Sequence, residues 1–523
     1  MNHSPYHPVV LNSIPRLLTN LDRDPDSPNY GCFDRNYWHY KVQDYSSALL
    51  QQSALTLALV YSHKFEGNVY YNNDLIREYT IAGIEFWRKI QYRDGSFDEY
   101  WKREHSIPST AFSLYAICEA SDLMEYCPGH LRECIERSVQ FLEKNKEFGA
   151  LNQEMVSIAA MRYAAKILGN ETLAQVSRTR FRTLLARQNS EGWFPEYGGL
   201  DISYLTVTLD YLIRYYELDD DKDALVAAKK IPELLKFFVH PDGSTGGEYG
   251  SRNSEYFLPY GFEYLKGECD SAHSIISRLT GYINQPMYLN TVWDDRYLIH
   301  YLSHSFVKAL LIYKEGGKTT PLPCEAPFFK FFEDAQIVIK STDSYYCICS
   351  LAKGGIFKVI DKKSLSVSTD CGFRLKCNAT RYVTEYPRKN AVVLAGNKVC
   401  VTSPFQKVKS LRPSGLTFFL IRVGSMFFGP WMRILVKKMI MFSEKVMGDM
   451  KFSRRILFTD EKIVIDDSID IGKRQLDGYL CSGFSIRYFP SSMFFQINSL
   501  NNKVHTCSIH VNGKFTLHRE LKF

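Results

Sequence analysis

The stretch DGSFDEY at residues 94–100 returns as EGWFPEY at 191–197 and as DGSTGGEY at 242–249. Each copy joins an acidic residue and a glycine to a Glu-Tyr pair, and each lies between two helix-like stretches. The last two copies are about 50 residues apart and the first lies about two such steps upstream, a period typical of stacked supersecondary units. We therefore expect helical hairpins whose turns gather at one rim of the molecule.

The pattern of apolar residues divides the chain into two parts. Helical spacing continues from residue 44 to about residue 320, and after the stretch TTPLP at 319–323 it changes to short alternating runs. The sequence therefore predicts an α+β multidomain protein, an (α/α) toroid of helical hairpins followed by an antiparallel β-sandwich. The predicted parts are an irregular lead-in at 1–29, the toroid at 30–320, a linker at 321–332 and the sandwich at 333–523.

Composition limits the classes of partner. The 523 residues have a net charge of +7, which favours an anionic partner such as an acidic polysaccharide. We find no nucleic-acid motif, and the first residues carry no basic region followed by an apolar one, so we expect no nucleic acid and a cytoplasmic location. The 13 cysteines have no regular spacing, as in a reduced protein.

One apolar, aromatic segment lies at residues 416–438. Arg422, Pro430 and Arg433 interrupt it, so it does not have the pattern of a membrane-spanning helix. We expect a loop packed on the second domain, and the alternative is contact with a membrane surface through its aromatic and basic residues.

Local phrases resemble the heparinase II/III-like polysaccharide lyases. They are CFDRNYW at 32–38 with Gln51-Gln52, and RILF at 455–458 leading to IVIDD at 463–467. The resemblance covers most of the chain and implies the toroid-plus-sandwich fold. It also implies a catalytic Asn phrase, which falls on Asn152, and a catalytic Tyr phrase, which falls on Tyr204. Gln153 and Leu205 stand where such lyases often have histidine, and no histidine lies between His304 and His505.

These residue types suit proton abstraction at C5 of a uronate. Asn152, helped by Gln153, would neutralise the charge of the substrate carboxylate by hydrogen bonding. Tyr204 would act as base, acid or both if a nearby cation lowers its pKa. β-Elimination and C5 epimerisation share this first step, so the sequence does not separate a lyase from an epimerase. Asn152 as a helix cap and Tyr204 as a packing residue remain open alternatives.

Further candidates come from the repeats. His105 precedes an inner helix and is a candidate base, and Tyr256 follows Glu248 by the same step as Tyr204 follows Glu196. Arg252 could bind a sugar carboxylate with both guanidinium nitrogens. The predicted catalytic residues are Asn152, Tyr204, His105 and Tyr256, and the predicted substrate-binding residues are Gln153, Glu196, Asp201, Glu248, Arg252 and Asn253.

Two other functional classes stay open. A glycoside hydrolase would use a pair of carboxylates drawn from Glu99, Glu196, Asp201, Glu248 and Glu255. A non-catalytic glycan-binding or assembly protein in surface-polysaccharide (exopolysaccharide) metabolism would explain the missing histidines. We expect no cofactor and no catalytic metal, because the nucleotide and metal motifs are missing from the sequence, while a structural metal stays open.

Overall fold

The fold is described from a computed structural model, which covers residues 4–285, 293–317, 319–377, 380–408, 414–429, 431–432, 435–436, 445–481, 505–507 and 512–523. Helices fill the N-terminal part and strands fill the C-terminal part. The helices are α1 His7–Asn20, α2 Arg35–Trp38, α3 Ser53–Ser62, α4 Asp74–Lys89, α5 Ile107–Leu123, α6 Gly129–Lys144, α7 Leu151–Leu168, α8 Glu171–Leu185, α9 Ile202–Asp219, α10 Lys222–Leu235, α11 Tyr260–Leu265, α12 Asp270–Ile283 and α13 Leu298–Ile312, with α14 Gly415–Phe428 among the strands.

The helices form an inner and an outer layer. The inner helices α3, α5, α7, α9 and α13 are buried on nearly every side, whereas α4, α6, α8, α10 and α12 bury one face and expose the other. Neighbouring inner helices contact one another, α11 joins α9 to α13, and α13 returns to α3. The helical part is therefore a toroid, as the sequence predicts.

The repeated acidic-Gly turn has one backbone shape in all three copies. Gly95, Gly192 and Gly243 have φ angles of +88°, +96° and +88°, a region that favours glycine. A Cβ on Gly95 would lie 2.0 Å from the Arg137 carbonyl oxygen of the next outer helix. A Cβ on Gly31, whose φ is +89°, would likewise lie 2.0 Å from the Ala82 carbonyl oxygen on α4, so Gly31 makes the same close approach to an outer helix, without an acidic residue before it, and the sequence analysis missed it.

The N-terminal lead-in is not irregular. Pro8 lies in the first turn of helix α1. A proline is tolerated there because the backbone N–H that it lacks would have no hydrogen-bond partner in the first turn. Val10, Ile14 and Leu17 are buried, and α1 packs against α13. The polar residues on either side of α1 conceal this helical spacing in the sequence.

The C-terminal part contains two antiparallel sheets. Strands β1 Phe328–Phe332, β2 Ile337–Ser341, β3 Tyr345–Ser350, β4 Ile356–Asp361 and β5 Val367–Asp370 pair in that order. The second sheet holds β6 Phe373–Cys377, β7 Thr380–Val383, β8 Ala391–Ala395, β9 Lys398–Val408, β10 Lys445–Phe458, β11 Lys462–Cys481, β12 His505–Cys507 and β13 Asn512–Lys522. Strand β1 lies inside the predicted linker, and residues 484–489, whose alternating pattern also predicts a strand, lie outside the described residues.

The second sheet closes on itself, so the predicted β-sandwich is not confirmed. Strand β9 pairs with β10 as well as with β7, which completes a ring of β6, β7, β9, β10 and β11. Phe373, Phe405, Phe452 and Ile469 belong to one core shared by strands of this five-stranded barrel, while the other ends of β9, β10 and β11 share a core with the first sheet. Long strands with irregular register make this curvature possible.

Helix α14 replaces the loop predicted at residues 416–438. The Ser414 Oγ accepts from the Thr417 N–H at 3.1 Å and caps the helix. Most of its large apolar side chains are exposed, so the predicted packing on the second domain is wrong for this part of the segment. No helix in the described part of the chain has the length and apolarity needed to cross a membrane.

Candidate active site

The second acidic-Gly turn pairs with the start of α7. Ala150 and Glu196 form a short antiparallel bridge, which brings the Glu196 carboxylate to the first turn of the helix. Its Oε1 accepts from the Asn152 backbone N–H and its Oε2 from the Asn152 side-chain Nδ2, both at 2.7 Å. Glu196 is therefore the partner that orients Asn152.

This pair is buried and has a specific electrostatic consequence. Burial raises the pKa of Glu196 well above its usual range, and the two N–H groups of Asn152 oppose that shift. The Asn152 amide nitrogen carries a second N–H, which could donate to a substrate oxygen. Asn152 can thus serve as a hydrogen-bond donor while Glu196 holds its orientation.

Tyr197 is the last residue of the second turn and contacts two predicted site residues. Its φ of +51° is unusual for a non-glycine residue, and its hydroxyl accepts from Gln153 Nε2 at 3.3 Å. The Arg252 guanidinium carbon lies 4.0 Å from the Tyr197 ring centroid, a cation–π contact. Burial raises the pKa of Tyr197 and the Arg252 charge opposes that rise. Sequence reasoning missed Tyr197, although the recurring Glu-Tyr pair marks it.

Tyr204 lies in the first turn of α9, the helix that follows the second acidic-Gly turn. Asp201 caps this helix, and its Oδ1 accepts from the Tyr204 N–H at 3.3 Å. The Asp201 Oδ2 accepts from the Arg252 N–H at 2.8 Å, and the Ser254 hydroxyl also donates to Asp201. Asp201 therefore ties Tyr204 to the segment that carries Arg252, which is a structural task rather than substrate binding.

A cluster of tyrosines surrounds Tyr204. Its ring lies 6.4 Å from the Tyr197 ring, and it acts electrostatically on Tyr256, Tyr297 and Tyr301. Tyr256 and Tyr301 have rings 5.7 Å apart and share a hydrogen bond. Burial raises the pKa of Tyr256, Tyr297 and Tyr301 well above the usual range, so all three are neutral phenols.

His105 belongs to the first turn. Its Nδ1 lies 2.7 Å from Ser96 Oγ and 2.8 Å from Asp94 Oδ2, and its ring lies 4.8 Å from the Tyr92 ring. These contacts close the loop between the turn and α5, and the φ of His105 is +54°. The geometry favours a structural role for His105 over its predicted role as a base.

The third turn repeats this arrangement with another histidine. His240 Nδ1 lies 2.8 Å from Ser244 Oγ, and Ser244 also donates to Asp242 at 2.7 Å. The His240 Nε2 lies 2.9 Å from the Tyr249 hydroxyl, and burial lowers the pKa of His240 well below its usual range. Because an Asp-Ser-His group occurs in two turns, it is a feature of the turn and not a catalytic triad.

Lysines from the β part fill the third turn. Lys353 Nζ donates to the Glu248 carbonyl at 2.5 Å, the Gly250 carbonyl at 3.0 Å and Asn253 Oδ1 at 2.7 Å. Lys358 Nζ, from β4, lies 3.0 Å from Glu255 Oε1. Asn253 and Glu248 therefore join the two parts of the molecule. Sequence reasoning did not find these lysines, since only the tertiary fold brings them to the turn.

The carboxylates considered for hydrolysis all have partners within the protein. Glu99 Oε2 accepts from Ser106 Oγ at 2.8 Å, Glu196 binds Asn152, and Asp201 caps α9. Lys358 lies between Glu255 and Glu248, with a distance of 3.9 Å to Glu248 Oε2. Such engaged groups do not resemble a pair of carboxylates placed around a glycosidic bond.

The structure thus brings together part of the predicted site. Asn152, Gln153 and Glu196 meet at the second turn, and Tyr204 and Arg252 both lie beside Tyr197. Tyr256 belongs to the tyrosine cluster, whereas His105, Glu248 and Asn253 belong to the other two turns. Within the described ranges, no group of three or more His, Cys, Asp or Glu side chains is arranged to hold a metal ion.

Comparisons with known proteins identify the fold. No family model and no curated protein matches the sequence. Xanthan lyase from Paenibacillus is similar over 99% of this chain and 55% of its own, with a TM-score of 0.53 and 10% identity. Chondroitin AC lyase from Streptomyces coelicolor A3, solved in complex with chondroitin sulphate, is similar over 92% and 69%, with a TM-score of 0.57 and 10% identity.

Heparinase III is similar over 99% of this chain and 87% of its own, with a TM-score of 0.43 and 11% identity. This chain spans just over half the length of the xanthan lyase. At such identities the similarity concerns the fold alone. The chain therefore shares its fold with the xanthan and chondroitin AC lyases, and the toroid is the part of the fold that the lyase resemblance in its sequence predicts.

Proposed function

We propose that this protein acts on a uronate-containing, acidic polysaccharide by removing the C5 proton, and that β-elimination follows. The observation that carries the proposal is the arrangement around Tyr197. Tyr197 accepts a hydrogen bond from Gln153, the neighbour of Asn152, and the Arg252 cation stacks on its ring, which lies 6.4 Å from the ring of Tyr204. This set contains the hydrogen-bond donors, the cation and the proton carrier that elimination needs.

The amide pair would prepare the substrate. N–H groups of Asn152 and Gln153 donate to the uronate carboxylate and stabilise the negative charge that develops when the C5 proton leaves. The Gln153 Oε1 is buried and has no hydrogen-bond partner within the described residues, so it could accept from a sugar hydroxyl. Tyr197 and Tyr297 are the half-buried tyrosines of this cluster, so theirs are the rings within reach of a sugar.

Tyr204 would carry the proton. Its phenolate takes the C5 proton, the electron pair of the C5–H bond forms the C4–C5 double bond, and the C4–O4 bond breaks. The Tyr204 hydroxyl then gives the same proton to the departing O4, which regenerates the phenolate. The Arg252 charge would stabilise that phenolate, as it opposes the pKa rise of the neighbouring Tyr197.

C5 epimerisation is the second candidate, because it shares the first step and differs only in reprotonation of C5 on the other face. A hydrolase has less support, since the candidate carboxylates are engaged by the protein. A non-catalytic glycan-binding role is the remaining alternative, and each class fits a part in surface-polysaccharide metabolism.

The test is incubation with a panel of acidic polysaccharides in heavy water. A lyase yields absorbance from the new C4–C5 double bond, and an epimerase incorporates deuterium at C5 without that absorbance. We expect the unsubstituted chain to produce this absorbance. In Tyr204→Phe the rate of product formation should fall at least 1,000-fold, which corresponds to a loss of about 4 kcal/mol of transition-state stabilisation. Tyr211→Phe is the matched control, because Tyr211 is a buried tyrosine two turns along the same helix.

Three outcomes would contradict the proposal. Reducing ends without absorbance or deuterium would indicate a hydrolase. Binding without any product across the panel would indicate a glycan-binding protein. Equal activity of Tyr204→Phe and Tyr211→Phe would show that Tyr204 is not the proton carrier.

A further inference from the structure

Helix α14 and the tryptophan that follows it present an unusually apolar surface. Phe427, Trp431, Leu416 and Phe428 are 77%, 76%, 68% and 64% exposed, and Phe419 is 61% exposed. Contiguous exposed apolar surface of this kind is rare on a soluble protein and marks an interaction site. We call the exposed apolar side chains of 416–431 the aromatic surface.

The helix is held in place with its aromatic surface outward. Arg422 Nη1 lies 2.9 Å from Asp44 Oδ2, and Asp44 also lies 3.5 Å from Lys102 near the first turn. Ser425 and Met432 are buried on the protein side, and the Met432 sulfur approaches Gly424. A capped, tethered helix that turns its large apolar groups outward needs a partner for them.

The sequence that carries and flanks this surface is basic. From residue 407 to residue 438 the sequence has seven basic residues and no acidic residue; they are Lys407, Lys409, Arg412, Arg422, Arg433, Lys437 and Lys438. Each lysine or arginine near an anionic lipid surface contributes about 1 kcal/mol of attraction. Phenylalanine and tryptophan side chains flanked by such residues are typical of helices that lie in the membrane interface.

The dimensions favour a helix in the plane of a membrane. Fourteen residues give α14 a length of about 21 Å, shorter than the hydrocarbon core of about 30 Å. A second copy of the chain fits less well, because a symmetric contact would bring two basic segments together. The same repulsion does not arise at an anionic bilayer.

We propose that the aromatic surface of α14 docks this protein on an anionic lipid bilayer, with the helix lying in the plane of the headgroups. The basic residues of 407–438 supply the electrostatic attraction, and the phenylalanine, leucine and tryptophan side chains enter the acyl boundary. This inference does not depend on the proposed catalytic function.

The test measures co-sedimentation of the full chain with vesicles. Vesicles of phosphatidylcholine alone are compared with vesicles of phosphatidylcholine and phosphatidylglycerol at a ratio of 3:1. We expect at least tenfold tighter binding to the anionic vesicles, weakened by salt. Phe427→Glu with Phe428→Glu should lower that binding at least tenfold, because the two substitutions replace apolar contact by repulsion.

The matched control combines Val69→Glu with Phe148→Glu, two toroid residues that are 74% and 70% exposed. It adds the same charge away from α14 and should bind like the unsubstituted chain. Trp431 provides a second readout, since its emission should shift to the blue on anionic vesicles and the shift should be lost in Trp431→Phe.

Equal binding by the α14 double variant and the control would overturn the proposal, and so would equal binding to neutral vesicles. Concentration-dependent dimerisation that the double variant abolishes, without vesicle binding, would assign the aromatic surface to a second copy instead. Vesicle binding needs no turnover, so it can succeed or fail whatever the polysaccharide assays show.

Discussion

The second and third acidic-Gly turns share a backbone shape but have opposite surroundings. In the second, Tyr197 is half-buried and contacts Gln153 and Arg252. In the third, Tyr249 is buried beside His240, and lysines from the β part occupy the space around it. The repeat therefore supplies a common backbone, and the elements that pack against each copy decide which side chains surround it.

The largest expected effect tests the glycine conformation that the acidic-Gly turns share. Gly95→Ala should lower the free energy of unfolding by about 4 kcal/mol, because a Cβ would lie 2.0 Å from a backbone oxygen at a φ of +88°. Gly243→Ala should cost only about 1–2 kcal/mol, since the nearest atom is the Tyr282 Cβ at 3.1 Å. Urea unfolding followed by tryptophan fluorescence measures the free energy of unfolding of both variants. Similar decreases in the two variants would show that the close backbone contact at Gly95 does not set the cost.

The next effect tests the buried carboxylate and lysine groups at the third turn. Burial, with Glu248 nearby, raises the pKa of Glu255 to about 7 from an ordinary value near 4.5, and the Lys358 cation opposes that rise. The folded chain therefore binds this proton more tightly than the unfolded chain. This proton contributes about 3 kcal/mol to the free energy of unfolding. The contribution is fully present below about pH 4.5 and is lost as the pH rises through 7.

Glu255→Gln should remove most of this pH dependence between pH 5 and pH 8, because the amide does not titrate. Glu268→Gln, at a glutamate whose side chain is 60% exposed, should keep it. The measurement is the free energy of unfolding at several pH values, and equal slopes in both variants would assign the pH dependence to other groups.

A smaller effect tests the second turn. Arg252→Lys keeps the charge but loses the planar group stacked on Tyr197, so kcat/KM on the polysaccharide should fall about 100-fold, or about 2.7 kcal/mol. Arg182→Lys is the control, because Arg182 stacks on Phe181 at 5.5 Å on the outside of the toroid. If both variants keep full activity, stacking on Tyr197 has no part in substrate binding.

The smallest effect tests the first turn. His105→Gln should change kcat/KM less than twofold and lower the free energy of unfolding by about 1 kcal/mol, because one hydrogen-bonded contact to Ser96 and Asp94 weakens. Steady-state kinetics and urea unfolding check the two numbers. A tenfold loss of activity with unchanged stability would restore His105 as a catalytic residue.

The sequence by itself determined the features that depend on nearby residues. Helical spacing and the acidic-Gly turns predict the hairpins of the toroid, because a left-handed glycine between two amphipathic stretches is a local signal. The same repeats mark the second turn, while Tyr204 is a candidate through the resemblance to the lyases. The roles of Asn152, Tyr204 and Arg252 stay predictions, which the polysaccharide assays test.

Only the tertiary structure decided the features that depend on contacts between residues far apart in the sequence. Closure of the barrel needs β9 to pair with β10 across the intervening α14, and Lys353 reaches the third turn across about a hundred residues. The tyrosines of 297–301 meet Tyr204 because α13 closes the toroid. No local spacing encodes these contacts, because they form only when the hydrophobic cores bring separate elements together. For the same reason the sequence shows that 416–431 is apolar, while the fold shows which of its side chains stay exposed.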